Sequence, residues 1–344
     1  MTRAAVRIGE TCDHACCFCA QHGIVWSAAR TLEDARAAGH DEVSFVGGEP
    51  SLPSARLSEH VAAARALGFV AVGVQTNGWA LAQASLRAAV CDAGLSDAHL
   101  SIHGARADVH DFHTGRAGSF AAASATATGL RARGVTVVAT TVLTRSNFRV
   151  IAELPPLLER LGVAAWTVTL PHARGRAAAA FDRVLPRLAL ALPFALHALD
   201  RARRLGLPAA IEGAPLCLLG PFAALARNEG SRAFAAACDG CRARDGCAGV
   251  DAYYLARFGG DELRPREAVA AVAPMSDALA RMFVGLGEAA ASPVPASQAR
   301  ARLPIAERPR PGRDEQRTRA PVDAKPLFPD LLDPDDRERG PDGA

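Results

Sequence analysis

Lysine is almost missing from this chain: of 39 basic residues only Lys325 is a lysine, and it lies near the C-terminal end. A Schiff-base mechanism needs an amine held in a pocket, so lysine-anchored pyridoxal chemistry has no residue to use in the body of the chain. Aromatic residues are sparse at 5%, which leaves a core of mostly Ala, Val and Leu within a normal apolar fraction of 49%. An excess of one charge is lacking too. A net charge of +3 over 344 residues points to neither a nucleic-acid nor a membrane partner. No run reaches the ~20 apolar residues of a membrane span, and no charged stretch leading into an apolar one marks a secretory signal. The opening Met1-Thr2-Arg3-Ala4-Ala5-Val6 reads straight into a strand, and a cytoplasmic protein is expected. The nine cysteines are odd in number and clustered, which suits metal ligation better than a disulfide framework.

From residue 4 to about 171 short β-rich runs alternate with Ala-rich helical stretches, the pattern of β/α units on a parallel sheet. Strands are expected at Ala5–Gly9, Glu42–Val46, Val70–Gln75, Ala98–His103, Val135–Leu143 and Ala165–Leu170. Helices are expected near Leu32–Ala38, Ala55–Leu67, Ala80–Ala93, Phe120–Arg133 and Val150–Leu161, several of them stopped by a glycine. Six units predict an α/β fold, a partial (β/α)6 TIM-like barrel open on one side, over residues 1–204. Polar and glycine motifs follow the strands one after another. A cysteine loop follows the first, Gly47-Gly48-Glu49-Pro50 the second, and Thr76-Asn77-Gly78 the third. Ser101 and His103 close the fourth, and Arg145 and Asn147 follow the fifth. The C-terminal strand ends form one face in such folds, and sites gather there.

The cysteine loop is spaced C-x-x-x-C-x-x-C, at Cys12, Cys16 and Cys19. Three thiolates so placed can ligate three corners of a [4Fe–4S] cubane and leave the fourth iron open for chemistry. A zinc knuckle is the other use of such a group. The pattern Cys12-Asp-His-Ala-Cys16-Cys17-Phe18-Cys19 resembles the signature loop of the radical S-adenosylmethionine (radical SAM) superfamily. The resemblance implies that the open iron chelates the amino and carboxylate groups of SAM, with Phe18 as the aromatic residue before the last cysteine. It also implies that Gly47, Gly48, Glu49 and Pro50 form the family's glycine-rich motif, with Glu49 an acceptor near the SAM ammonium. Thr76 and Asn77 occupy a place where the family often carries the same tripeptide. Ser101, His103 and Asn147 stand where relatives contact the sugar of SAM or the substrate. Cys17 reads as an accessory thiol, and Cys91 as a buried apolar residue. His110, Asp111 and His113 read as a loop over the mouth of the site, since no third metal ligand is evident nearby.

A second group, Cys217, Cys238, Cys241 and Cys247, supplies four thiolates, enough for a complete [4Fe–4S] cluster or for a zinc tetrahedron. Its C-x-x-C-x5-C core resembles the SPASM and twitch extensions of radical SAM enzymes. The full SPASM pattern has a further cysteine where this chain has Asp251. One auxiliary cluster in a domain over residues 205–265 is therefore expected, followed by a helix over 266–290. Residues 291–344 hold ten of the 22 prolines and a single aromatic, Phe328, and read as a disordered tail.

The resemblance implies an enzyme in which one electron cleaves SAM to a 5′-deoxyadenosyl radical, which abstracts hydrogen from a substrate. An electron donor such as a flavodoxin or ferredoxin is implied as partner. A small-molecule substrate is favoured over a peptide, because the chain begins directly at the barrel with no leader-binding segment. A peptide-modifying maturase is the alternative, and a non-catalytic iron–sulfur or zinc scaffold is the reading from another class.

Overall fold

In a computed structural model the strands stand where the alternation places them. Residues 2–24, 30–53, 56–227, 233–266 and 276–283 are described. The expected tail from residue 291, with Phe328, and most of the expected helix over 266–290 lie outside them. The strands are β1 (Arg3–Arg7), β2 (Glu42–Val46), β3 (Ala71–Thr76), β4 (Asp97–Ser101), β5 (Thr136–Val142), β6 (Ala165–Thr169), β7 (Ala209–Glu212) and β8 (Ala226–Arg227). They form one parallel sheet in the order β1 to β8, an α/β half-barrel. β7 and β8 extend the expected six strands by two short ones, and both lie inside the stretch that the cysteine spacing assigns to an auxiliary domain.

Helices follow the strands, the longer ones covering the outer face. They are α1 (Leu32–Ala37), α2 (Leu57–Ala66), α3 (Ala84–Asp92), α4 (Ala107–Thr114), α5 (Ser119–Arg131), α6 (Leu154–Leu161), α7 (Gly175–Ala179), α8 (Phe181–Val184), α9 (Leu188–Arg204), α10 (Ala252–Phe258) and α11 (Asp277–Ala280). Each main helix turns a small apolar stripe onto the sheet, such as Leu57, Val61 and Ala64 of α2. β2 is buried along its whole length, as parallel strands covered on both faces must be.

Inside the barrel, at the N-terminal strand ends, lies a buried charge network. Arg3 makes a two-pronged contact with Asp97 at 2.6 and 2.9 Å and reaches Glu42 at 3.0 Å. Gly73 makes room for it, because a Cβ there would stand 2.3 Å from an Asp97 oxygen and 2.6 Å from the Arg3 guanidinium. Removing one member of such a network would strand a buried charge. Residues 276–283 close this end of the barrel. Arg281 meets Glu42 at 3.2 Å, Arg227 donates to the carbonyls of Ala280 and Phe283, and Phe283 packs with Val138 and Ala165.

Candidate functional site

At the opposite end, the loop after β1 carries Cys12, Cys16 and Cys19, and backbone rather than side-chain bulk sets its height. Gly48 N–H donates to Gly9 O at 2.9 Å, and Glu49 N–H to Thr11 O at 2.8 Å. A Cβ on Gly47 would lie 2.2 Å from Gly9 O, and one on Gly48 2.2 Å from Thr11 O. Only glycines fit, so the pair serves the cysteine loop itself. Ala15 N–H is bound by Thr114 O at 2.9 Å, and Cys19 O accepts from Arg176 N–H at 2.9 Å. Arg116 pairs with Asp13 at 2.9 Å while its guanidinium lies 3.7 Å over the Trp79 ring.

The three thiols sit close enough to feel one another. Burial pushes the Cys16 thiol up to about 12, and the neighbouring Cys19 and Cys12 add to the rise. Burial also raises Cys12. Thiols so placed ionise when a cation binds them. Among the described residues no group of three or more His, Cys, Asp or Glu side chains is gathered closely enough to hold a single metal ion. Three thiols on one braced loop are a donor set that a cubane can take at three corners.

Glu49 is buried, 2% exposed, and has no cationic partner among the described residues. One carboxylate oxygen accepts from Ser51 N–H at 3.0 Å and from the Ser51 and Thr76 hydroxyls at 2.6 Å each. The other accepts from Asn77 N–H at 2.7 Å. Burial raises its pKa, and the bonds from Asn77, Ser51 and Thr76 oppose the rise. A buried carboxylate aimed by four donors but matched by no cation suits an ammonium. Asn77 ties it to the cysteines: its side-chain amide donates to Asp13 at 2.8 Å and lies 4.0 Å from the Cys12 sulfur. Pro50 is buried beside it.

Ser101 faces the barrel interior with Asp97 and His99, as the two-residue period of β4 requires. Phe18 packs edge-on to His103, with ring centroids 4.6 Å apart, and His103 stacks on His110. Burial holds His103 well below its ordinary pKa, so the ring is a neutral support for the cysteine loop. Asn147 spends both amide protons on His103 O and Val142 O, at 3.0 and 2.9 Å, and its oxygen on Thr144. It binds the ends of β4 and β5 together and has no donor left for a ligand.

The stretch around His110 departs from expectation. It is the helix α4, ended by Gly115 at φ 65°, and His110 and His113 are buried rather than spread over the mouth. Their ring spacing matches a helix face, a signal hidden by the polar look of the segment. Asp13, Ser51, Trp79 and Arg116 were not singled out by sequence. Ser51 directly follows the Glu49-Pro50 pair and was open to notice, whereas nothing local marks Arg116.

The second cysteine group shares one cavity of about 360 Å³, which Cys217, Cys238, Cys241 and Cys247 all line. Backbone N–H groups point at the sulfurs: Leu216 and Gly249 at Cys247, at 3.4 and 3.3 Å, and Arg266 at Cys241, at 3.5 Å. Such donors stabilise thiolates. Asp251, where a further cysteine would stand, caps α10 through Tyr253 N–H at 2.8 Å and accepts from Ala173 N–H at 3.2 Å.

Residues 6–153 match the family described as the radical SAM superfamily. The chain is 29% identical over 183 residues to an AdoMet-dependent heme synthase of Oleidesulfovibrio alaskensis, covering 51% of this chain and 46% of that protein. It thus spans about half the length of this curated relative. Among solved structures, SuiB of Streptococcus suis bound to the precursor peptide SuiA superposes with a TM-score of 0.50 at 17% identity, covering 64% of this chain and 50% of that one. SuiB bound to S-adenosylmethionine gives 0.50 at 16% identity, covering 62% and 50%. These two share the fold. No helix among the described residues is long and apolar enough to cross a membrane.

Proposed function

Since the chain carries a radical SAM domain over residues 6–153, we propose that Cys12, Cys16 and Cys19 hold a [4Fe–4S] cluster and that Glu49 receives the ammonium of S-adenosylmethionine beside it. When bound, the pair supplies one-electron cleavage of the sulfonium and a 5′-deoxyadenosyl radical that takes a hydrogen atom from the substrate. The observation that carries this reading is Asn77, which joins the buried Glu49 carboxylate to Asp13 within the cysteine loop. Gly47 and Gly48 fix the height of the loop, Pro50 and Thr76 frame Glu49, and Ser101 opens on the barrel interior. Phe18, His103 and Asn147 keep the loop and the strand ends in register. The chain's task is to exclude water and aim the reactive carbon at one C–H bond.

Cys217, Cys238, Cys241 and Cys247 hold a second [4Fe–4S] cluster in this reading. A flavodoxin or ferredoxin supplies the electron. The test is anaerobic reconstitution, with about eight irons expected per chain, two cubanes of four. Replacing Cys12, Cys16 and Cys19 together with alanine should leave about half of that iron and no 5′-deoxyadenosine in the presence of dithionite. Full iron in the triple variant, or no 5′-deoxyadenosine from cluster-replete wild type, would sink the assignment.

A further inference from the structure

One cavity takes no part in holding either cysteine group. It lies beyond the C-terminal ends of β6 and β7 and encloses about 460 Å³ of empty space, part of it open to solvent. Leu170, Leu188, Val250 and the ring of Tyr254 give it apolar walls, and His172 and Asp251 are its polar side chains. Its position is telling. Three residues past His172, the backbone at Gly175 and Arg176 rests on Cys19 O, where a Cβ on Gly175 would come within 2.7 Å. Ala248, on another wall, directly follows Cys247. The cavity is therefore tied to both cysteine groups along the chain, to the first through the 170–176 segment and to the second through the peptide bond from Cys247 to Ala248.

Its charge is the second observation. The chain has 39 basic residues, yet no arginine or lysine among the described residues lines this space. Asp251 lines it, and each of its oxygens accepts one backbone N–H, so half of its lone pairs remain and no described cation meets it. His172 stands 3.9 Å from the carboxylate of Glu212. An anionic ligand would meet the Asp251 carboxylate with no arginine or lysine among the described lining residues to offset it, whereas a cation would meet Asp251 alone.

We propose that this cavity binds the substrate and selects a molecule with an apolar body and an amine, a claim that rests on the radical SAM reading for the word substrate. The apolar walls take the body by area, and Asp251 takes the ammonium. Carboxylated and phosphorylated molecules are excluded by the same charge.

The test uses the reconstituted full chain and two probes of one shape, 2-phenylethylamine and 3-phenylpropionate, with binding read by calorimetry. The amine should bind about tenfold or more tightly than the carboxylate, the effect of one partly buried charge-assisted contact. Asp251→Asn should loosen the amine by about tenfold while α10 stays folded, since Asn caps a helix as well as Asp does. Asp251→Ser, which also caps a helix, should act in the same direction and carries the test should the first variant fail to fold. Equal binding of the two probes, an amine affinity that neither substitution moves, or no saturable amine binding overturns the proposal. Iron and 5′-deoxyadenosine measured on the same preparation keep the two readings apart. Normal values with no amine selectivity remove the cavity claim alone, whereas amine selectivity without 5′-deoxyadenosine removes the barrel chemistry and, with it, the substrate role.

Discussion

Alanine in place of Gly48 is the smallest change that should empty the first cysteine group. The added methyl would stand 2.2 Å from Thr11 O, 2.4 Å from Glu10 O and 2.6 Å from Thr11 C. All three are backbone atoms, so no side chain can swing aside. The cysteine loop must retreat by roughly 1 Å to reach ordinary contact. That retreat breaks the bonds from Gly48 N–H to Gly9 O and from Glu49 N–H to Thr11 O. Two lost backbone bonds and the overpacking together cost about 2 to 4 kcal/mol. Cys12 is covalently next to Thr11, so it moves with this start of the loop, while the bonds of Ala15 N–H to Thr114 O and of Arg176 N–H to Cys19 O hold the part that carries Cys16 and Cys19. Urea unfolding of the apoprotein reads the energy, and iron per chain after reconstitution reads the site. Iron should fall from about eight to about four. Gly240→Ala is the control for the urea readout alone, because its methyl would meet nothing within 4 Å and should cost under ~0.5 kcal/mol, while its place between Cys238 and Cys241 keeps it out of the iron comparison. A Gly48→Ala protein with an unchanged urea midpoint and full iron would refute the claim that the glycine pair exists for the cysteine loop.

Glu49→Gln should weaken SAM binding roughly 10- to 100-fold, the worth of a charge-assisted hydrogen bond, and calorimetry on cluster-replete protein checks it; an unchanged Kd removes Glu49 from the site. Cys241→Ala should lower iron and stability together, because ligation free energy is folding free energy in small metal domains, while 5′-deoxyadenosine formation persists. Zinc at about one equivalent in wild type, with iron at only about four, would replace the second cluster by a zinc site. His99 is held neutral by burial and titrates at about 4 against an ordinary 6.5. The unfolded chain takes up the proton first, so this part of the stability is present above 6.5 and is lost as pH falls toward about 4. Urea midpoints across that window should drop less steeply in His99→Gln than in wild type, and equal slopes would count against it.

The rim was legible because strand ends in a parallel fold announce themselves through glycine and polar residues after each apolar run. The loop that carries Cys12, Cys16 and Cys19 was legible after the first strand, and their spacing together with the family resemblance is what proposes them as ligands. The purpose of Gly47 and Gly48 was not, since a close approach to residues 9–11 has no trace in a local window. Asn147 shows the converse. Its place after β5 invites a ligand role, yet the structure spends its amide on two strand ends. β7 and β8 went unseen because strands of four and two residues carry too few positions for any period to show. The misreading of α4 has the same root: polar residues at helical spacing look like a loop until the buried side is known.

The closure of the barrel at Glu42 has a bearing on how the chain is made. Arg281 and Glu42 are 239 residues apart, so the contact closes more than two thirds of the 344-residue chain into one loop. A chain emerging N-terminus first completes every brace on the cysteine loop by Arg176, long before residues 276–283 exist. Synthesis thus finishes the cysteine end of the barrel first and its base last, and in the interval His99 and Val138 face water. A chain cut short before residue 276 would keep the architecture that holds its cysteines and lose the seal beneath it, so the two ends of one barrel can fail separately.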